Sequence, residues 1–364
     1  MIPYRFLALA AAVAALAACS DGSTVLTPQP KPTATPTAPP PPGSIGSFSS
    51  LTTIGSTVDP GPGPGAGDRN PYGLTIATAT AGKEVQGNLM ICNFNDAANV
   101  QGNGTTIEQL NPTPGSAPTR FLADPALKGC DALAMAPNGN VWAADYIANN
   151  NPIIAPAGTI NTTLSQNAWY GPWGEAFNGG TASMPTFFET NAKNGTVTRI
   201  HINPGPSFTF DTILAGLAVN NGVPGNILAP AGLTYDKASD TLYVVDSNAN
   251  RVIKIAQATT APASTYATTA MGFNSPSVSV VYSGAPLGSP ISSALLANGN
   301  LVVGNTTDNN LVEINPVSGT VVSTKLVDTG AAGAIFGIVT TGAGGSQYVY
   351  FNDDNTNTVV RLSP

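Results

Sequence analysis

Short apolar runs, each closed by Asn, Asp or Glu, punctuate the chain at regular distances. "LMICN" ends at Asn93, "VWAAD" at Asp145, "TFFE" at Glu189, "LYVVD" at Asp246, "LVVGN" at Asn305 and "YVYFN" at Asn352. After most of them a turn of Asn, Asp, Gly or Thr leads into a second apolar stretch, as in "TTIEQL", "GTVTRIHI", "NRVIKI", "NLVEI" and "NTVVRL". Upstream lies a further strand, often opened by Pro or Gly: "NPYGLTIA", "GCDALAMA", "GPWGEAF", "PAGLTYD", "SPISSALLA" and "GAIFGIVT". "FLAD", "TFDTILAG", "SVVYSG" and "TKLVDTG" read as outermost fourth strands. The closing polar residues fall 52, 44, 57, 59 and 47 residues apart. Four short strands repeated at such a period are the signature of a β-propeller. Unbroken apolar runs such as Leu242–Val245, rather than strict alternation, fit sheets covered on both faces by their neighbours.

The arithmetic predicts an all-β chain with one six-bladed propeller of four-stranded blades over residues 47–364. The last unit stops at "VVRLSP" without a fourth strand, and an unpaired edge there would be a liability. "SFSSLTTIGS", residues 47–56, precedes the first blade without a unit of its own, so it is expected to close the ring. Blade two breaks the pattern. Residues 146–169, "YIANNNPIIAPAGTINTTLSQNAW", interrupt it and read as a loop rather than as strand.

Charge adds one exclusion. Only 9% of the residues are charged, and 13 Lys and Arg against 20 Asp and Glu leave a formal charge of -7. A surface of that sign repels phosphate backbones, which argues against nucleic acid as a partner.

The first residues carry an address. "MIPYRFLALAAAVAALAACS" places Arg5 before an apolar run from Phe6 to Ala18, too short to span a bilayer comfortably. Leu16-Ala17-Ala18-Cys19 resembles the lipobox of bacterial lipoproteins. The resemblance implies a signal peptide over residues 1–18, diacylglyceryl modification of Cys19, cleavage before it and acylation of the new amino terminus. The protein would then be held on the membrane of the cell envelope, the outer one in a Gram-negative cell given Ser20 after the Cys. Several acyl chains on one residue make such attachment stable. Residues 19–46, with "TPQPKPTATPTAPPPPGS", read as a semi-rigid Pro/Thr stalk.

"PAGLTYD…TLYVVDSNANRVIKI" resembles an NHL repeat, a family of six-bladed propellers, most closely over residues 230–255. That family includes lyases, lactonase relatives and pure binding modules, so fold alone does not assign an activity. Enzymes resembling regucalcin and the gluconolactonases hold a divalent cation in the channel through a first-strand Glu. The resemblance therefore implies a candidate Ca²⁺ site built on Glu175 of "GPWGEAF" and Asp131 of "GCDALAM", with Asp246 and Asn305 among the strand-end residues. Hard cations take such oxygen ligands, but strand-end Asn and Asp also bind the backbone of their own turns.

Three further groups stand out. His201, the single histidine, lies in a third strand away from the channel, which excludes multi-His zinc sites and argues against a Ser-His-Asp triad. Cys92 and Cys130 end and begin strands of adjacent blades, open to a disulfide in an oxidising compartment or to two buried thiols. Tyr146, Trp169, Tyr170 and Trp173 gather among Asn residues, as an aromatic loop for a ligand or as rings packed between blades two and three. The expected function is binding or scaffolding at the envelope, with a protein or glycan partner at one propeller face. A cation-dependent, lactonase-like hydrolase or lyase is the alternative.

Overall fold

The apolar runs are rich in Val, Ile, Leu and aromatic residues, which suit a pleated surface, and each is cut by a turn before it can lengthen. The computed structural model of the chain describes residues 43–364 apart from 166–168, 180–184, 206, 224, 269 and 271. The predicted signal peptide, Cys19 and all but the end of the stalk lie outside the described residues.

Six sheets radiate from a central channel, each with its first strand innermost. Blade one comprises Arg69–Ile76, Leu89–Asn95, Thr106–Leu110 and Thr119–Ala123. Blade two has Cys130–Met135, Val141–Asp145, Asn151–Ala155 and Thr159–Leu164. Blade three has Pro172–Phe177, Thr186–Asn191, Thr196–Asn203 and Ser207–Ala215. In blade four the strands are Pro230–Asp236, Thr241–Asp246, Arg251–Ala256 and Val278–Ser283. Blade five has Pro290–Leu295, Leu301–Asn305, Asn310–Asn315 and Thr320–Leu326. Blade six has Ile335–Thr341, Tyr348–Asp353 and Thr358–Ser363, and the early strand Ser50–Ser56 completes it. Every first strand touches the first strands of both neighbours, so the ring is closed. Second strands are buried along almost their whole length, with Tyr348 of blade six the partly open exception, whereas fourth strands such as Thr320–Leu326 are largely open to solvent.

Closure works as the sequence predicts. Ser50 pairs with Ser363 and Ser56 with Thr358 in an antiparallel ladder. The latch begins earlier than residue 47, however, which corrects the expected boundary between stalk and propeller. Ser44 and Ile45 are fully buried, and a 3₁₀ turn over Ile45–Ser47 leads into Phe48, also buried. Glu313 of blade five explains why. Its Oε2 accepts from Ser44 Oγ (2.5 Å), the Ile45 amide (2.9 Å) and Ser323 Oγ (3.0 Å), while Oε1 accepts from Asn300 Nδ2 (2.7 Å). Ionised acceptors make hydrogen bonds roughly twice as strong as neutral ones, which compensates the buried charge.

Blade two also departs from expectation. The stretch read as an inserted loop contains the blade's own third and fourth strands, Asn151–Ala155 and Thr159–Leu164. Their composition concealed them. "NPIIA" starts with Asn-Pro, and "TINTTL" is polar because most of an outermost strand faces water. Blade three is extended instead: a hairpin of Ser264–Ala267 and Gly272–Phe273 lies parallel to the end of Ser207–Ala215 and covers its edge.

Glycines set the width of the channel. At Gly232 an added Cβ would lie 2.7 Å from the Cα of Ser292, and at Gly337 2.6 Å from the Cβ of Leu74. Neighbouring first strands therefore approach closely enough to exclude side chains at this level. Cys92 and Cys130 form a disulfide that ties blades one and two, with a Cα–Cα distance of 6.0 Å.

Candidate functional site

The inner strands position the site by register. Pro71 pairs with Asn93, Cys130 with Asp145, Pro172 with Asn191, Pro230 with Asp246, Pro290 with Asn305 and Ile335 with Asp353. Beyond each pair the ladder is irregular, and the following three residues of most first strands face the channel. They form three tiers. The first is Tyr72, Asp131, Trp173, Ala231, Ile291 and Phe336; the second is Gly73, Ala132, Gly174, Gly232, Ser292 and Gly337. The third is Leu74, Leu133, Glu175, Leu233, Ser293 and Ile338. Asp131 and Glu175 are thus the only carboxyl side chains in these tiers.

This register revises the ring of strand-end residues. In blade three the equivalent position is Asn191 rather than Glu189, and in blade six it is Asp353 rather than Asn352. The side chains brace turns and loops of their own blades. Asp145 Oδ2 accepts from the Lys128 amide (2.7 Å), and Asn305 accepts from the Gly288 amide (3.1 Å) and donates to the Pro286 carbonyl (2.7 Å). Asp246 pairs with Arg251 Nε at 2.8 Å and is fully buried. Of the four proposed cation ligands, then, Asp131 and Glu175 share the channel, while Asp246 and Asn305 are held within their blades. Among the described residues, no group of three or more His, Cys, Asp or Glu side chains is placed to hold a metal ion. The residues present do not fit the Ca²⁺ site that the family resemblance implied.

What the channel does hold is a set of buried carboxyls. Glu175 lies across the ladder from Glu189, and Asn151 Nδ2 donates to both, at 2.5 and 2.8 Å. Burial raises both carboxyls, and the Glu175 charge raises Glu189 further. Burial likewise holds Asp131 well above the usual carboxylate range, aided by nearby Asp145, which burial pushes to about 8. Among the described residues, neither oxygen of Asp131 has a hydrogen-bond partner, nor does Oε2 of Glu175. At this level the channel encloses only about 70 Å³.

Above it the passage is shut by aromatic rings. Tyr72 stacks on Phe336 (3.7 Å between centroids) and on Phe94 (4.4 Å), with Trp173 tilted against it at 6.2 Å. Tyr146 meets Trp173 edge-on at 5.6 Å. On this plug rests a pocket of about 290 Å³, at the face where first strands begin. Tyr72, Trp173 and Phe336 line it together with Gln101, Asn226, Ser289, Thr306 and Asp354 from the loops.

The four aromatic candidates divide accordingly. Trp173 lines this pocket, and Tyr146 supports it from behind. Trp169 is buried between blades two and three, its Nε1 donating to the Leu164 carbonyl at 2.7 Å, and offers no surface. Tyr170 alone of the four is exposed. His201 faces Asp211, Nε2 to Oδ1 at 3.7 Å, on the outer part of blade three.

No protein-family model and no curated protein sequence matches the chain. Among solved structures it is similar to a gluconolactonase from Xanthomonas campestris, 11% identical with a TM-score of 0.56, over 86% of this chain and 88% of that one. It is similar also to virginiamycin B lyase from Staphylococcus aureus, 14% identical with a TM-score of 0.52, over 86% and 99% of the two chains. A chain of the nidogen/laminin complex is 16% identical, with a TM-score of 0.50, over 71% and 80%. These neighbours are six-bladed β-propellers, and at such identities the likeness is one of fold.

Proposed function

We propose that the protein is an exported, lipid-anchored propeller that binds a small molecule at the face carrying the aromatic plug, without transforming it. Cys19 carries the lipid, and the stalk to residue 42 holds the propeller off the membrane surface. The observation that carries this reading is the pocket of about 290 Å³ on the Tyr72–Phe336 stack. An apolar floor with a few polar groups around it is the usual composition of a small-ligand site. Ring faces give contact area at little entropic cost, and the Gln101, Asn226, Ser289 and Thr306 side chains give direction.

The test uses the full chain in detergent against a panel of small saccharides, amides, amino acids and amines. Melting shifts identify binders, and calorimetric titration confirms them. A saturable binder lost in Ala332→Trp, which fills the pocket from its exposed rim, is the expected result. Binders indifferent to that substitution would overturn the assignment.

A second reading is a hydrolase or lyase working from the channel, favoured by the unpartnered carboxyl oxygens of Asp131 and Glu175 and by the likeness to a gluconolactonase and a lyase. A histidine-to-alanine substitution gives a catalytically inactive virginiamycin B lyase; the single histidine of this chain, His201, lies outside the channel. Turnover of lactones or esters that falls away in Glu175→Gln would favour this reading over binding.

A further inference from the structure

We infer that the pocket on the aromatic plug accepts a small organic cation, an alkylammonium group of choline size. This rests on the reading of that pocket as a ligand site. Its floor is made of three ring systems, Tyr72, Trp173 and Phe336, and its wall contains the carboxylate of Asp354. Ring faces carry negative charge density and attract cations. Among the described residues that line the pocket there is no Lys, Arg or His.

Asp354 has no basic partner among the ion pairs of the described residues. Its donor is an amide. Asn70, oriented so that its oxygen accepts from Asn95 Nδ2 (2.7 Å), donates to Asp354 Oδ1 at 2.7 Å. Asp353 adjoins it in sequence, and its charge acts on Asp354. Burial and the Asp353 charge push Asp354 up to about 7, the mark of a carboxylate short of counter-charge.

Other ligand classes use less of this arrangement. An anion would meet Asp354 and Asp353 with no basic side chain among the described lining residues to receive it. A neutral saccharide would engage the rings, the rim amides and, through its hydroxyls, Asp354, but would bring no counter-charge to the carboxylate. A compact ammonium group uses rings and carboxylate together, and a pocket of about 290 Å³ holds one small head group rather than a polymer. The formal charge of -7 over the chain draws the same class of ligand from solution.

The experiment titrates the full chain in detergent with choline and, in parallel, with 3,3-dimethylbutan-1-ol, which has the same shape without the charge. Choline should bind at least about tenfold more tightly than the alcohol, the scale of a desolvated cation–π contact plus one ion pair. Asp354→Asn should weaken choline about tenfold and leave the alcohol unchanged. Phe336→Leu should also weaken choline selectively, and Ala332→Trp should abolish both. Melting curves of each variant show that it is folded. Equal binding of choline and alcohol, both lost in Ala332→Trp, would overturn the cation and leave the pocket as a site for neutral ligands. Choline binding untouched by Asp354→Asn, or surviving Ala332→Trp, would overturn the inference, as would no choline binding at all. If the wider panel then yields a binder that Ala332→Trp removes, the site itself stands; if it yields none, both readings fall.

Discussion

Glu313→Gln should loosen the ring at its closure. The carboxylate is fully buried, and both oxygens only accept: Ser44 Oγ, the Ile45 amide and Ser323 Oγ donate to one, Asn300 Nδ2 to the other. A glutamine is almost the same size, but its amide nitrogen must face donors on one side or the other. If it faces the latch, the fully buried Ile45 amide loses its acceptor. An orphaned buried donor costs about 1–3 kcal/mol, and bonds to a charged group are worth about 1.5–3 kcal/mol each, so the loss should be about 2–4 kcal/mol. For a propeller of about 320 residues this corresponds to a fall in Tm of roughly 3–6 °C. Ile45→Ala, which empties a fully buried site, should cost a comparable 2–5 kcal/mol or so. The assay is a thermal melt paired with amide hydrogen exchange over residues 50–56. Faster exchange there than in Leu242–Val245 is expected, because the damage is local to the latch. A Glu313→Gln protein that melts within a degree of the wild type, with residues 50–56 equally protected, would refute the reasoning.

Other outcomes follow from the same structure. Replacing Cys92 and Cys130 together by Ser should cost roughly 4 kcal/mol on a chain-entropy estimate for a 38-residue separation, read as a lower denaturant midpoint; an unchanged midpoint would mean the bridge adds nothing. Stability should rise on acidification from pH 8.5 towards 5, because Glu84 and Asp354 are pushed by burial to about 7 and Asp145 to about 8. Carboxyls raised in this way stabilise the fold fully below their unfolded values near 4 and lose that contribution as pH climbs through 7–8; a Tm that climbs with pH over that range would contradict it. Gly232→Val should cost several kcal/mol or prevent folding, since the side chain would enter the backbone of the neighbouring inner strand; a near-wild-type melt would show that the inner ring can expand. Cys19→Ser should abolish acyl labelling and move the protein from the membrane to the soluble fraction, and continued labelling would rule out Cys19 as the lipid site.

The repeat pattern was legible because second strands are buried on both faces, and unbroken runs such as "LYVVD" betray them even in one sequence. Blade two was hidden for the converse reason. Its outer strand "TINTTL" is selected by solvent, and its third strand opens with Asn-Pro, so neither looks apolar. The second strands were found in every blade, yet aligning on the first polar residue after each apolar run misplaced blades three and six, where "TFFETN" and "YVYFND" continue past it. That slip concealed the pocket. The residue after each pairing position faces the channel, which would have singled out Tyr72 and Phe336 together with Trp173. Asp354 had no local signal, since a second Asp in an Asn/Asp turn reads as ordinary turn chemistry. The latch was underestimated by only a few residues. Ser44 and Ile45 look like the end of a Pro-rich stalk, and their partner Glu313 is far away in sequence.

The most direct test of the central claim is a crystal structure of the protein with its tightest small-molecule binder. The ligand should lie on the Tyr72–Phe336 stack, beside Trp173 and within hydrogen-bond or ion-pair reach of Asp354. A ligand seated instead against Asp131 and Glu175 inside the channel, or between blades away from the plug, would contradict it.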